Sequence, residues 1–169
     1  MADSATTTLN DVDIERVASL AKKIQDEPDV AATKWNAEVS WKGGFRSEAK
    51  IRDFGAAGSD EPDQLGGTNT APNPVEQVLG ALGNCLAVGY AANATAISKL
   101  TIKIEGDIDL HTFLGLKEGN AGFSRITVKV ELDSDASAED LQAMHAKVTS
   151  TSPVGHTLNR AVPLDVELA

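Results

Sequence analysis

The sequence predicts an α+β fold, a largely antiparallel sheet around one long buried central helix. Three observations predict it. Four segments, 35–41 and 45–51 in the first half and 100–110 and 126–132 in the second, alternate apolar and polar residues with a period of two. Between the second and third of these, residues 74–97 are apolar nearly all round, the pattern of a helix covered on every side. No strand alternates with a helix in the serial order that builds a parallel sheet.

The elements follow in order. Residues 1–10 are polar and read as a frayed end. Over 11–25, Ile14, Val17, Ala18, Ala21 and Ile24 recur at helical spacing, and Pro28 closes that helix. Trp35, Ala37, Val39 and Trp41 then alternate with Lys34, Asn36, Glu38 and Ser40, as in a half-buried strand. Gly43 and Gly44 turn the chain into a second strand. There a loop of Lys42, Gly43 and Gly44 pairs Trp41 with Phe45 and Ala37 with Ala49 and keeps one face apolar. A two-residue turn would instead pair Trp41 with Arg46. The first register is expected, with Arg46 and Arg52 on the polar face. Residues 55–72, rich in Gly, Asp, Pro and Thr, read as a loop.

Asn73 is a suitable N-cap and Pro74 a suitable first residue for the helix that runs to Ile97. Its Gly80, Gly83 and Gly89 let another backbone come close. Leu100, Ile102, Ile104, Ile108 and Leu110 share one parity, as do Ile126, Val128, Val130 and Leu132. Ser137 caps a helix that buries Leu141, Met144 and Val148. A last strand alternates Val162, Leu164, Val166 and Leu168. Residues 1–33 are therefore an N-terminal tail and amphipathic helix, and 34–169 one domain.

The 169 residues suit a single domain, and 41% hydrophobic residues suffice for a core. Fifteen Lys and Arg against 25 Asp and Glu leave a net charge of −10, which repels nucleic acid and anionic lipid. The apolar run 78–97 is interrupted by Asn84 and Asn93 and reads as a core helix rather than a membrane span. One cysteine permits no internal disulfide, and no apolar leader opens the chain, so a cytoplasmic location is expected. The G-x-S-x-G, Walker A and G-x-G-x-x-G patterns are missing. One cysteine and three scattered histidines provide no metal-ligand spacing, so neither metal nor cofactor is expected. His111 near a strand end, His145 on a helix and His156 in a loop read as surface or packing residues.

Cys85, the only cysteine, is either an inert core thiol or a reactive one. Reactivity requires the thiolate, and a free thiol has a pKa of about 8.5. Cys85 lies far beyond the first helical turn, where the helix dipole fades. A cation from elsewhere is needed, and Arg46, Arg52, Arg125, Arg160 and His156 are the candidates.

The segment Asn73-Pro74-Val75-Glu76 through Leu82-Gly83-Asn84-Cys85 resembles the first cysteine motif of the OsmC/Ohr family. Ser152-Pro153-Val154-Gly155-His156 resembles its second motif, a Cys-Pro-Val run. The resemblance implies an intertwined homodimer with two long helices in the core and active sites at the interface. It also implies reduction of small organic hydroperoxides by a peroxidatic thiolate, a second cysteine that resolves the sulfenic acid, and an assisting arginine and glutamate.

Two departures matter. Ser152 stands where the resemblance implies the resolving cysteine, and a serine forms no disulfide. The glutamate is displaced by one, with Val75 in its place and Glu76 following. At about 100° per residue, Glu76 and Cys85 lie roughly 180° apart around the helix and about 14 Å apart along it. As catalytic residues the resemblance implies Cys85, Arg46 (beside a Gly-Gly turn) and Glu76. The leading reading is a one-cysteine organic hydroperoxide reductase whose sulfenic acid is resolved by an external thiol. The rival is a non-catalytic dimer that binds a small apolar ligand or a partner.

Overall fold

The computed structural model describes residues 8–93 and 95–168. In chain order the elements are β1 (Thr8–Leu9), β2 (Val12–Asp13), α1 (Ile14–Asp26), β3 (Glu38–Gly43), β4 (Arg46–Lys50), β5 (Ala57–Ser59), α2 (Pro74–Ala91), β6 (Lys99–Asp107), α3 (Leu110–Phe113), β7 (Arg125–Asp133), α4 (Ala138–Thr151) and α5 (Pro153–Asn159). Every strand pair is antiparallel, as the expected α+β class requires. Residues 1–7 of the expected frayed end lie outside the described residues. The chain divides into two compact units, Glu15–Val78, and Met1–Ile14 with Leu79–Ala169.

The Glu15–Val78 unit holds the three-stranded sheet β3-β4-β5. Its hairpin corrects the expected register. Trp41 pairs with Ser47 and Val39 with Ala49, and an irregularity at Lys42 lets Gly43 pair with Arg46. Gly43 and Gly44 both take positive φ, +95° and +61°, a conformation that side chains resist. The displacement is two residues, so each side chain keeps its face even though the pairing differs. Part of the expected loop 55–72 also pairs, as β5 against Ser47–Ala49. Its Ala57-Gly58-Ser59 sequence has no apolar alternation to announce it. Backbone bonds and the Gln77 Nε2 donation to Gly58 O, at 3.1 Å, hold it in place. The half-buried strand expected over 35–41 is in fact exposed in this chain, with Trp41 at 76%. Helix α1 likewise buries none of its residues.

Asp60 organises the loop that leads to α2. It is buried, and its carboxylate accepts from Glu61 N, from the N–H and hydroxyl of Thr68, and from the N–H and hydroxyl of Thr70. The Thr68 hydroxyl is the largest cause of a carboxyl pKa held far below the usual carboxylate range, and burial opposes it. A carboxyl with a lowered folded-state pKa contributes stability above its ordinary value of 3.8, and that stability is lost as pH falls through and below it. Asp60→Asn is therefore expected to lower Tm at pH 7, with the gap from wild type closing as pH drops below about 4. Thermal scans across that range check it, and a gap independent of pH would refute it.

In the second unit, Leu82, Leu86 and Tyr90 recur every four residues along α2 and pack on Met144 and Val148 of α4. The sheet β6-β7 adds Leu100, Ile102, Ile104, Ile126, Val130 and Leu132, and its register pairs Ile102 with Val130 and Leu100 with Leu132 as parity demands. Ser137 caps α4 as expected, accepting from Asp140 N. A Cβ at Gly89 would lie 2.8 Å from Val148 Cγ1, closer than side chains tolerate. Gly89→Ala is expected to destabilise the fold by about 1–3 kcal/mol. The sign to look for is a lower urea midpoint at unchanged slope; an unchanged midpoint would contradict it.

Four further expectations are corrected. Helix α2 ends at Ala91 rather than Ile97, because asparagine side chains take over its last carbonyls. Asn93 Nδ2 donates to Gly89 O, and Asn10 Nδ2 donates to Ala91 O and Thr95 O while Asn10 Oδ1 accepts from Ile97 N. Asn10 does this from the tip of the β1–β2 hairpin, in a left-handed conformation that asparagine tolerates. The helix is also not covered on every side: only one face is buried, and Val88 is 68% exposed. Finally, residues 162–168 pair with no described strand, and Leu164 is 84% exposed. Pro163, which lacks a backbone N–H, interrupts the alternation there and confines such a segment to a sheet edge. Ile108 lies just past β6, and Leu110 opens α3 instead of extending the strand.

Candidate active site

Cys85 lies half-buried on α2, in its apolar middle. The side chain it meets comes from the other end of this unit's sequence. Ser152 is the N-cap of α5 and is 4% exposed, and its Oγ lies 3.2 Å from Cys85 Sγ. The cap constrains the chemistry of that contact. Ser152 Oγ accepts from Gly155 N at 3.1 Å, so one lone pair is committed and its proton is free for the sulfur. Pro153 at the first helical position and the missing Cβ of Gly155, which would crowd Ser152 Oγ at 3.1 Å, set this turn. The two sequence motifs, 67 residues apart, thus meet at one sulfur–oxygen contact.

Beside this pair opens a cavity of about 600 Å³. Ser152 lines it, together with Leu82 and Leu86 of α2, Ile126 and Val130 of β7, and the polar residues Arg125, His145 and His156. Tyr90, 1% exposed, reaches it from α2 and makes a short hydrogen bond to His145 Nδ1. Burial raises the pKa of the Tyr90 phenol, which keeps it a donor. His156 is a correction: it belongs to α5 rather than to a loop, and its Nε2–H donates to Ser150 O at 2.9 Å. His111 is exposed in α3 and bonds Asp109.

Arg46, Arg52 and Glu76 lie in the Glu15–Val78 unit. Arg46 opens β4, and its Nε donates to Gly43 O at 3.3 Å. Arg52 stacks its guanidinium 4.6 Å from the Phe54 ring centre. Glu76 closes a capping box: its carboxylate accepts from Asn73 N and Asn73 Oδ1 accepts from Glu76 N, both at 2.9 Å. Asn73 and Pro74 therefore start the helix as the sequence predicts. Arg160 follows α5 and is exposed.

Sequence reasoning passed over Tyr90 and the cavity and read His145 only as a surface or packing residue. One signal was available: the only tyrosine of the chain stands in an otherwise apolar helix, and a buried phenol needs a partner. Among the described residues no group of three or more His, Cys, Asp and Glu is placed to hold a metal ion, and no helix is long and apolar enough to cross a membrane.

The family model described as "OsmC-like protein" matches residues 67–167, more than half of the chain. Solved structures share the fold. An OsmC-like protein from Mycoplasma pneumoniae superposes with a TM-score of 0.64 at 19% identity over 75% of this chain and 88% of its own. An organic hydroperoxide resistance protein OsmC from Legionella pneumophila gives 0.57 at 14% identity over 75% and 91%. One from Elizabethkingia anophelis, also an organic hydroperoxide resistance protein, gives 0.50 at 18% over 73% and 88%. No curated protein matches the chain.

Proposed function

The chain belongs to the OsmC-like protein family, and from that premise we propose that it is a one-cysteine organic hydroperoxide reductase that works as a cytoplasmic homodimer. The observation that carries this reading is the Cys85–Ser152 contact at 3.2 Å. It brings the thiol against the place where the family's pattern has a resolving sulfur. The names of the Legionella and Elizabethkingia proteins support the substrate class.

In the proposed cycle the Cys85 thiolate attacks the terminal peroxide oxygen. The S–O bond forms as the O–O bond breaks, and the alkoxide leaves with a proton as an alcohol. Cys85 is then a sulfenic acid. An external thiol attacks its sulfur, releasing water and forming a mixed disulfide. A second external thiol frees Cys85 and departs as the oxidised disulfide. The Ser152 hydroxyl donates to the thiolate but supplies no sulfur. Arg46 is the proposed guanidinium that steadies the thiolate and the peroxide, and Glu76 the proposed carboxylate that orients an arginine.

Excess cumene hydroperoxide followed by intact mass measurement tests the reading. One or two oxygens are expected on Cys85, with no intramolecular disulfide. An unmodified thiol would sink the peroxidase reading. The non-catalytic binder is favoured by one observation, the engagement of the Glu76 carboxylate in its own helix cap, and an inert thiol would make it the better account.

A further inference from the structure

We propose that the cavity beside Tyr90 and His145 binds an apolar molecule with a single anionic head group. The cavity's size, about 600 Å³, falls within the range of small-molecule sites, roughly 300–1,000 Å³. About half of its wall is apolar, with an aliphatic stretch from Leu82, Leu86, Ile126, Val128 and Val130. The charge around it selects the head group. The chain carries 25 acidic residues against 15 Lys and Arg, yet no Asp or Glu lines this cavity. Arg125 does line it, and among the described residues it forms no ion pair, not even with Asp107 across the strand pair.

The other donors sort themselves. The hydroxyls of Ser124 and Thr149 donate to the carbonyls of Asp107 and His145, so they are committed to backbone. Tyr90 is buried with His145 Nδ1 as its partner, and a phenol that donates to Nδ1 leaves the proton of neutral imidazole on Nε2. In that tautomer the Nε2–H of His145 is a donor that Tyr90 does not use. An unpaired guanidinium, with no carboxylate lining the cavity, suits an anion and leaves a cation or a neutral alcohol at a disadvantage. The remainder of the ligand would lie on the aliphatic wall. This inference does not require Cys85 to react.

Calorimetric titration of the full chain with decanoate and with decanol, both below their aggregation limits, tests the proposal. Decanoate is expected to bind at least about tenfold more tightly than decanol, the usual margin of one charge-assisted hydrogen bond. Arg125→Gln should remove that margin and leave decanol binding as it was. Arg125 is exposed, so this variant should fold. As a second measurement, decanoate should shift the His145 ring resonances. Cys85→Ala should bind decanoate as wild type does, whatever the outcome with peroxide, which separates this inference from the reductase reading. Equal affinity for the two probes, no binding of either, or a margin untouched in Arg125→Gln would overturn it. The second result would mean that residues of this chain or of a second copy fill the cavity.

Discussion

Ser152→Cys is expected to convert Cys85 from a thiol that over-oxidises into one half of a closed disulfide cycle. In the native site Sγ and Oγ stand 3.2 Å apart, whereas a disulfide has an S–S length of about 2.05 Å. The difference is within reach of a side-chain rotation, and the cap geometry of α5 presents position 152 to the sulfur. After peroxide attack, the new thiol would displace water from the Cys85 sulfenic acid and leave an intramolecular disulfide. Near-complete disulfide formation is expected where the wild type forms none, with turnover by a dithiol reductant. A cysteine is a weaker acceptor for Gly155 N, so the reduced variant should lose about 1 kcal/mol of stability through the weakened cap. Intact mass without reductant reads the bond. If the variant forms no disulfide and oxidises Cys85 no faster than wild type, the two positions are not poised for exchange, and ligand binding becomes the better account of this site.

At micromolar concentration the chain is expected to sediment as a homodimer with α2 at the shared surface. The apolar residues buried among those described are Leu82, Leu86, Tyr90, Met144 and Val148. Trp41, Val39 and Val88 are exposed, as are Val162, Leu164 and Val166 of the C-terminal segment. These exposed apolar residues are the ground for that expectation. Val88, on the open side of the most apolar helix, is the most economical probe. Val88→Asp should weaken association at least about thirtyfold, roughly 2 kcal/mol, by placing a carboxylate in that surface. Analytical ultracentrifugation settles both parts. A stable folded monomer defeats the dimer, and a Val88→Asp dimer of wild-type affinity removes α2 from the interface.

The candidate site was legible in pieces. Cys85 stood out as the only cysteine in an apolar helix, and Ser152 as the residue of the second motif. Their contact was not readable, since it joins positions 67 residues apart through the cap of a seven-residue helix. The Tyr90–His145 bond was missed for the same reason, since it joins residues 55 apart. Glu76 was recognisable as first-turn charge, but its reciprocal bonds with Asn73 depend on the local backbone.

By itself the sequence determined the α+β class, the caps at Asn73 and Ser137, and the apolar face of β6 and of β7. Those features depend on periods of two and 3.6 residues and on side chains that bond their own backbone, so a few neighbouring residues suffice. Only the tertiary structure decided the irregular hairpin at Lys42, the recruitment of β5, the end of α2 at Ala91 and the unpaired state of residues 162–168. Two of these are competitions between local preference and a distant partner, Asn10 for the end of α2 and Gln77 for Gly58, while Pro163 keeps residues 162–168 out of a sheet interior. Periodicity records which face a residue prefers, but not which backbone arrives to satisfy it.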